Sequence, residues 1–178
     1  GFTGFAKKKS QLVETVRAHL QSLATMDMTT EYVRCDSTGE NVNPLTKLGG
    51  DMKFFLEFTS PDTPQQNGVA EHRIDLLAQR AMAMLLAAGF DEPTRDLLWA
   101  EAVDCANDLE KITATTVSGV PAFTQVTGRK SKVSPYLVQF GRLGYVTIRK
   151  KLKGKWKRKS YKAVMVGYAK NHSGDTYC

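Results

Sequence analysis

Thr59-Ser60-Pro61-Asp62-Thr63-Pro64-Gln65-Gln66-Asn67-Gly68-Val69-Ala70-Glu71 joins a strand-like run to a helix-like one. The stretch Thr59 to Gly68 is polar and carries Pro61 and Pro64. Proline fixes φ and withholds an N–H, so a loop is expected there. Beyond it Val69, Leu76, Leu77, Met84 and Leu85 recur with a helical period, closed by Gly89 and Pro93. Glu71 therefore stands in the first turn of a long helix, behind a loop that can move over whatever it faces.

Working outward, Lys53-Phe54-Phe55-Leu56-Glu57-Phe58 reads as the strand before the loop. A second strand, Glu31-Tyr32-Val33-Arg34-Cys35, ends at Asp36, with a turn at Ser37-Thr38-Gly39-Glu40. Asn43 to Met52 is ambiguous, because Gly49-Gly50 weakens a helix. Near the start, Gly1 to Ala6 reads as the end of a strand. Ser10 would cap a helix whose apolar stripe is Leu12, Val13, Val16, Leu20 and Leu23. Past the long helix, Thr94 would cap another, with Leu98, Ala102, Cys105 and Leu109 inward; Met82 and Met84 are expected in the core. After Thr113 short apolar runs and glycines replace helical periodicity. Leu143 to Ile148 and Ala163 to Tyr168 are the clearest strands there. The element order implies an α/β or mixed domain with a β-rich appendage.

Hydrophobic residues make up 42% and charged residues 24% of the 178, enough apolar material for a core. No apolar run approaches the roughly 18 residues a membrane span needs, and no basic-then-apolar leader is visible. Gly1 opens the chain without an initiator Met, which suggests truncation. Cys35, Cys105 and Cys178 are scattered, outside any C-x-x-C pair, which argues against a disulfide framework or zinc knuckle and for a reducing intracellular setting. Charge is divided sharply. Residues 1–110 hold ten Lys/Arg against seventeen Asp/Glu, a balance of −7. Residues 111–178 hold fifteen against one, a balance of +14, with no carboxylate from Lys111 to Gly174. That asymmetry points to a polyanionic partner for the second part, against a merely solvated basic surface.

Two carboxylates stand out by placement: Asp36 at a strand end, and Glu71 thirty-five positions later at a helix start. Both are places where a fold presents side chains into a cleft. Hard divalent cations prefer such oxygen donors, and two ions about 3.5–4 Å apart serve phosphodiester chemistry. Spacing alone leaves a plainer reading open, since an acid in a first helical turn also suits the helix dipole.

The Thr59–Glu71 stretch, above all Pro64-Gln65-Gln66-Asn67-Gly68-Val69-Ala70-Glu71, resembles the catalytic-Glu signature of copia-type retrotransposon integrases. Tyr32-Val33-Arg34-Cys35-Asp36-Ser37-Thr38-Gly39-Glu40 is similar to the family segment that holds the second catalytic Asp. Trp99-Ala100-Glu101-Ala102-Val103, Pro121-Ala122-Phe123, Thr127-Gly128-Arg129-Lys130, Phe140-Gly141 and Val166-Gly167-Tyr168 resemble later landmarks in order. The resemblance covers about residues 1–173. It implies a truncated RNase H-like fold, a mixed sheet with flanking helices, in residues 1–115. A linker at 116–135 and part of a small basic Src-homology-like β-barrel at 136–178 would follow. It also implies a polynucleotidyl transferase that processes element DNA and joins it to target DNA by transesterification. Asp36 and Glu71 would be the second and third catalytic ligands of Mg²⁺ or Mn²⁺. The first ligand would precede Gly1, so this fragment alone is expected to be inactive. The implied partners are element-end and target DNA and further copies of the chain, with no small-molecule substrate and with action in the nucleus. The chain departs from the pattern at Asp62, at Ser37-Thr38, at Ile74-Asp75 and in an Asp-to-Glu interval one residue short. Asp75 would put negative charge on a helix face expected to approach DNA.

Lys150, Lys151, Lys153, Lys155, Trp156, Lys157, Arg158 and Lys159 form a basic run with Tyr161 close by. Its cations would neutralise phosphates while Trp156 and Tyr161 stack or pack, with an affinity that is largely sequence-independent and salt-sensitive. The alternative is a solvated hairpin with Trp156 in a core. Gln65, Gln66 and Asn67 would touch DNA or merely fasten the turn. His19 and His172 are isolated, while His72 would sit beside Glu71. No G-x-S-x-G, P-loop or dinucleotide fingerprint occurs. Two other classes remain open, an inactive DNA-binding module derived from an integrase and a decayed element relic.

Overall fold

A computed structural model describes residues 4–6, 8, 11–35, 42–59, 68–113, 119–148, 158–170 and 176–178. Among these residues it is a mixed α/β structure with five α-helices and two separate two-stranded sheets, one parallel and one antiparallel. The chain divides into two compact units, Phe2–Asp75 and Leu76–Cys178, with the division falling inside a long helix.

The first unit runs α1 (Leu12–Ala24), β1 (Tyr32–Cys35), α2 (Val42–Met52) and β2 (Phe55–Phe58), and the long helix α3 (Gly68–Ala87) begins in it. Gly4, Phe5 and Ala6 form no strand, contrary to expectation, and Ser10 lies outside the described residues. The α1 stripe faces inward at Leu20, with Val13, Val16 and Leu23 half-buried, whereas Leu12 is exposed at the first turn. The helix closes when Asp27 takes φ +57°. Asp27 N–H donates to Ala24 O, and Met28 N–H to Leu23 O, the paired bonds that satisfy last-turn carbonyls.

The ambiguous stretch Asn43–Met52 is helical, and Gly49 is the reason it works. Lys53 takes φ +60°, Phe54 N–H donates to Gly49 O, and the chain turns straight back into β2. A Cβ on Gly49 would lie 3.0 Å from the Phe54 carbonyl oxygen. The glycine that weakens helix propensity is thus the residue that lets the returning strand land. Leu20, Leu45, Leu48 and Phe54 form the core, and Val33, Cys35 and Leu56 pack on it from the sheet. β1 and β2 run parallel through the α2 crossover, with Tyr32 opposite Phe55 and Cys35 opposite Phe58. Their other face carries a stacked Tyr32–Phe55 pair and an Arg34–Glu57 ion pair at 2.8 Å.

The second unit holds most of α3, then α4 (Glu92–Thr113), α5 (Ala122–Thr127), a 3-10 turn at Ser134–Tyr136, β3 (Leu143–Thr147) and β4 (Ser160–Val164). Leu77, Ala81 and Leu85 form the buried line of α3. Val69 is 86% exposed and Met82 is also exposed, so neither takes the core position expected for it. Helix α4 starts two residues before Thr94. Its cap is Asp91, whose carboxylate accepts from Thr94 N–H at 3.2 Å. The Thr94 hydroxyl and N–H bonds hold the Asp91 carboxyl below the usual carboxylate range. Ala102 and Cys105 are buried as the α4 stripe predicts, flanked by half-buried Leu98 and Leu109.

These helices meet Phe140, Met165 and Tyr168 in one core. The Tyr168 hydroxyl both accepts from Val138 N–H and donates to Val138 O, which pins the segment after β4 to the approach to β3. Gly141, at φ +79°, donates its N–H to Met165 O while packing on Ala88 and Phe90. β3 and β4 pair antiparallel with Tyr145 opposite Lys162 and Val146 opposite Tyr161. The second strand is therefore Ser160–Val164, earlier than the expected Ala163–Tyr168. Met165 still bonds towards β3, its N–H donating to Arg142 O. From Val166 onward the chain bonds to residues 176–178, Val166 N–H to Cys178 O and Ala169 N–H to Thr176 O. Lys170 reaches Asp104 of α4 at 2.7 Å. Among the described residues no helix is long and apolar enough to cross a membrane.

Candidate functional site

Parallel strands joined by a helix put both carboxyl ends at one edge of the sheet, where α/β folds gather ligands. In the first unit those ends are Cys35 and Phe58, direct partners, and Thr59 N–H extends the ladder by donating to Cys35 O at 3.1 Å. Asp36 follows Cys35 in sequence, and Ser60 to Asn67 follow Thr59. Asp36, Gln65, Gln66 and Asn67 lie outside the described residues.

Glu71 is described. It sits in the first turn of α3, exposed, where the unsatisfied N–H groups of the helix start favour an anion. His72 beside it is also exposed. Asp75, one turn further, is exposed on the same side as Glu71, because residues four apart are neighbours on a helix. Ile74 adds an exposed apolar side chain. A hard divalent cation fits this donor chemistry, since Mg²⁺ is commonly held by one or two carboxylates with water and phosphate oxygens completing its shell. Among the described residues no group of three His, Cys, Asp or Glu comes together, so they supply part of a ligand set at most.

Of the basic run, Arg158 and Lys159 are described and exposed; Lys150, Lys151, Lys153, Lys155, Trp156 and Lys157 lie outside the described residues. Arg158 Nε donates to Ser160 O at 2.7 Å, which fixes the guanidinium at the entrance to β4, and Ile148 N–H donates to Lys159 O. The β3–β4 hairpin therefore carries cations at the start of β4 and, at Lys162, along its length. The sequence marks Tyr161 beside the basic run but gives Tyr145 no role; both are exposed, on opposite faces. Alternation along Leu143–Ile148 was available as a signal, but alternation does not tell which face finds a partner.

No protein-family model and no solved structure matches this chain significantly.

Proposed function

We propose that this chain is part of a copia-type retrotransposon integrase, a metal-dependent polynucleotidyl transferase acting on DNA. On this reading the first unit belongs to an RNase H-like core, and residues 136–178 to a small basic β-barrel that binds DNA. The observation that carries it is the joint placement of the signature elements. The Pro64–Glu71 run leads into a helix that exposes Glu71 in its first turn, and the strand before Asp36 ends paired with the strand that precedes that run in sequence. Asp36 and Glu71 would hold Mg²⁺ or Mn²⁺, which when bound neutralises charge on a phosphodiester and activates the attacking oxygen. The chain's own residues contribute anionic oxygens in the first unit and phosphate-neutralising cations, Arg158 and Lys159 among them, in the second. Element ends and target DNA are the proposed partners, with further copies of the chain, in the nucleus.

The test is strand transfer by the complete protein that contains this chain, with Mn²⁺, an element-end duplex and plasmid DNA. Joining is expected, and Asp36→Asn with Glu71→Gln should abolish it. Joining that persists in the double variant removes both carboxylates from the mechanism. A second reading, a DNA-binding module without catalysis, is favoured by the +14 balance of residues 111–178. It predicts salt-sensitive DNA affinity with no joining. Neutralising Lys155, Lys157, Arg158 and Lys159 should flatten the dependence of affinity on salt, by roughly one logarithmic unit of slope for each phosphate that is no longer neutralised.

A further inference from the structure

The β3–β4 hairpin is exposed at every position of β3, and its two faces differ. In an antiparallel pair, residues directly opposite share a face. One face carries Gly144, Val146, Tyr161 and Ala163, continued by Ile148 and Lys159, which bond to each other. Half-buried Ile148 and Ala163 mark it as the better covered side, and its tyrosine stands across from Val146 rather than from a cation. The other carries Leu143, Tyr145, Thr147, Lys162 and Val164, all exposed, and only Ser160 half-buried. Tyr145 is 67% exposed and stands directly across from Lys162. No carboxylate occurs from Lys111 to Gly174, so nothing nearby in sequence offsets this cation.

We infer that the Tyr145–Lys162 face is a stacking platform for single-stranded nucleic acid. An unpaired base offers a π-face to the tyrosine ring, and the adjacent phosphate offers an anion to the ammonium. A stacked duplex offers phosphates but keeps its base faces covered, and an acidic peptide offers anions without a ring partner. The pairing of an exposed aromatic with a cation on one open sheet face therefore favours the single strand over both. This inference rests on the polyanion reading of the basic half and adds to it the strandedness of the ligand and the residue that reads it.

The experiment is fluorescence anisotropy with the full chain, using a labelled oligothymidine 12-mer and a labelled 12-base-pair duplex. Tyr145→Ala is compared with Tyr145→Phe and with Tyr161→Ala on the opposite face. Stacking of one base corresponds to a loss of about 5- to 150-fold on truncation. Tyr145→Ala should lose affinity for the single strand in that range while duplex affinity stays within about twofold. Tyr145→Phe should retain single-strand binding, and Tyr161→Ala should not reproduce the selective loss. Equal loss on both ligands, or no loss, overturns the platform. So does polyglutamate that competes as well as unlabelled oligothymidine. Binding to neither nucleic acid overturns the polyanion reading itself, whereas duplex binding without single-strand preference leaves that reading intact and ends this inference alone. Because Tyr145 is a surface residue, circular dichroism of Tyr145→Ala should match that of the parent chain.

Discussion

Gly49 and Gly50 are adjacent in α2, and alanine should act oppositely at the two positions. In a helix interior Gly→Ala stabilises by roughly 0.5–1 kcal/mol, chiefly by narrowing the unfolded ensemble. At Gly50 nothing lies within 4 Å of an added Cβ and the site is exposed, so that gain should be realised in full. At Gly49 the same Cβ would meet the Phe54 carbonyl oxygen at 3.0 Å, Phe54 Cε2 at 3.5 Å and Leu56 Cδ1 at 3.7 Å. The nearest of these is backbone and belongs to the turn that starts β2, so it cannot swing aside. Overpacking of that kind costs about 1–3 kcal/mol, which outweighs the propensity gain. The two variants should therefore differ by about 1–3 kcal/mol, with Gly50→Ala above the parent and Gly49→Ala below it. Urea denaturation followed by circular dichroism gives the midpoints. Amide hydrogen exchange across α2 assigns the change to this unit, since a chain of two units need not unfold in one step. Equal stabilisation by both alanines would refute the tight landing of Phe54 on Gly49, and with it the α2–β2 geometry that aligns the carboxyl ends of the two strands.

Two further outcomes follow from the second unit. Gly141→Ala places a methyl group against Ala88 Cβ and 3.3 Å from Phe90 Cζ while forcing alanine to φ +79°. Left-handed strain of about 1–2 kcal/mol together with overpacking of about 1–3 kcal/mol should make it the more damaging glycine substitution, read as a fall in thermal midpoint. Burial, reinforced by the Asp108 and Asp104 carboxylates, pushes the Cys105 thiol up to about 12, whereas Cys178 is exposed. Iodoacetamide should thus modify Cys178 and spare Cys105 in the folded chain at roughly pH 8, and modify both in denaturant. Because the folded thiol pKa lies above its unfolded value of 9.0, its contribution to stability is whole below that pH and is lost as pH rises towards about 12. Rapid modification of native Cys105 would contradict its place in the core with Ala102 and Met165.

Periodicity located β1, β2, α3 and β3 to within a residue or two, because each is long enough or regular enough for its apolar spacing to speak, while the start of α4 was placed three residues late. It failed where local preference and tertiary demand conflict. Gly49-Gly50 argued against a helix by propensity, yet Gly49 is retained in one because a neighbouring carbonyl occupies the space a side chain would need. Val69 and Met82 carry the right residue type for a core stripe and are exposed, since spacing fixes a side of the helix but not how far along it the covering partner extends. Thr94 looked like a cap, but Asp91 takes that role by accepting from Thr94 N–H.

The candidate site divides in the same way. The residues Pro64 to Glu71, the acid after β1 and the charge boundary near Lys111 are all properties of the chain read in order, and no fold is needed to see them. Covalent order also makes Glu71 a first-turn candidate, because Pro61 and Pro64 just before it disfavour a helix that continues backwards. Only tertiary structure could pair Cys35 with Phe58, across twenty-three residues and a helical crossover, and so set the strand before Asp36 beside the strand that leads to Thr59. It alone brought Tyr145 opposite Lys162 and left that face open. Register and coverage depend on which distant segments bury apolar surface together, and that energy belongs to pairs of segments rather than to either one.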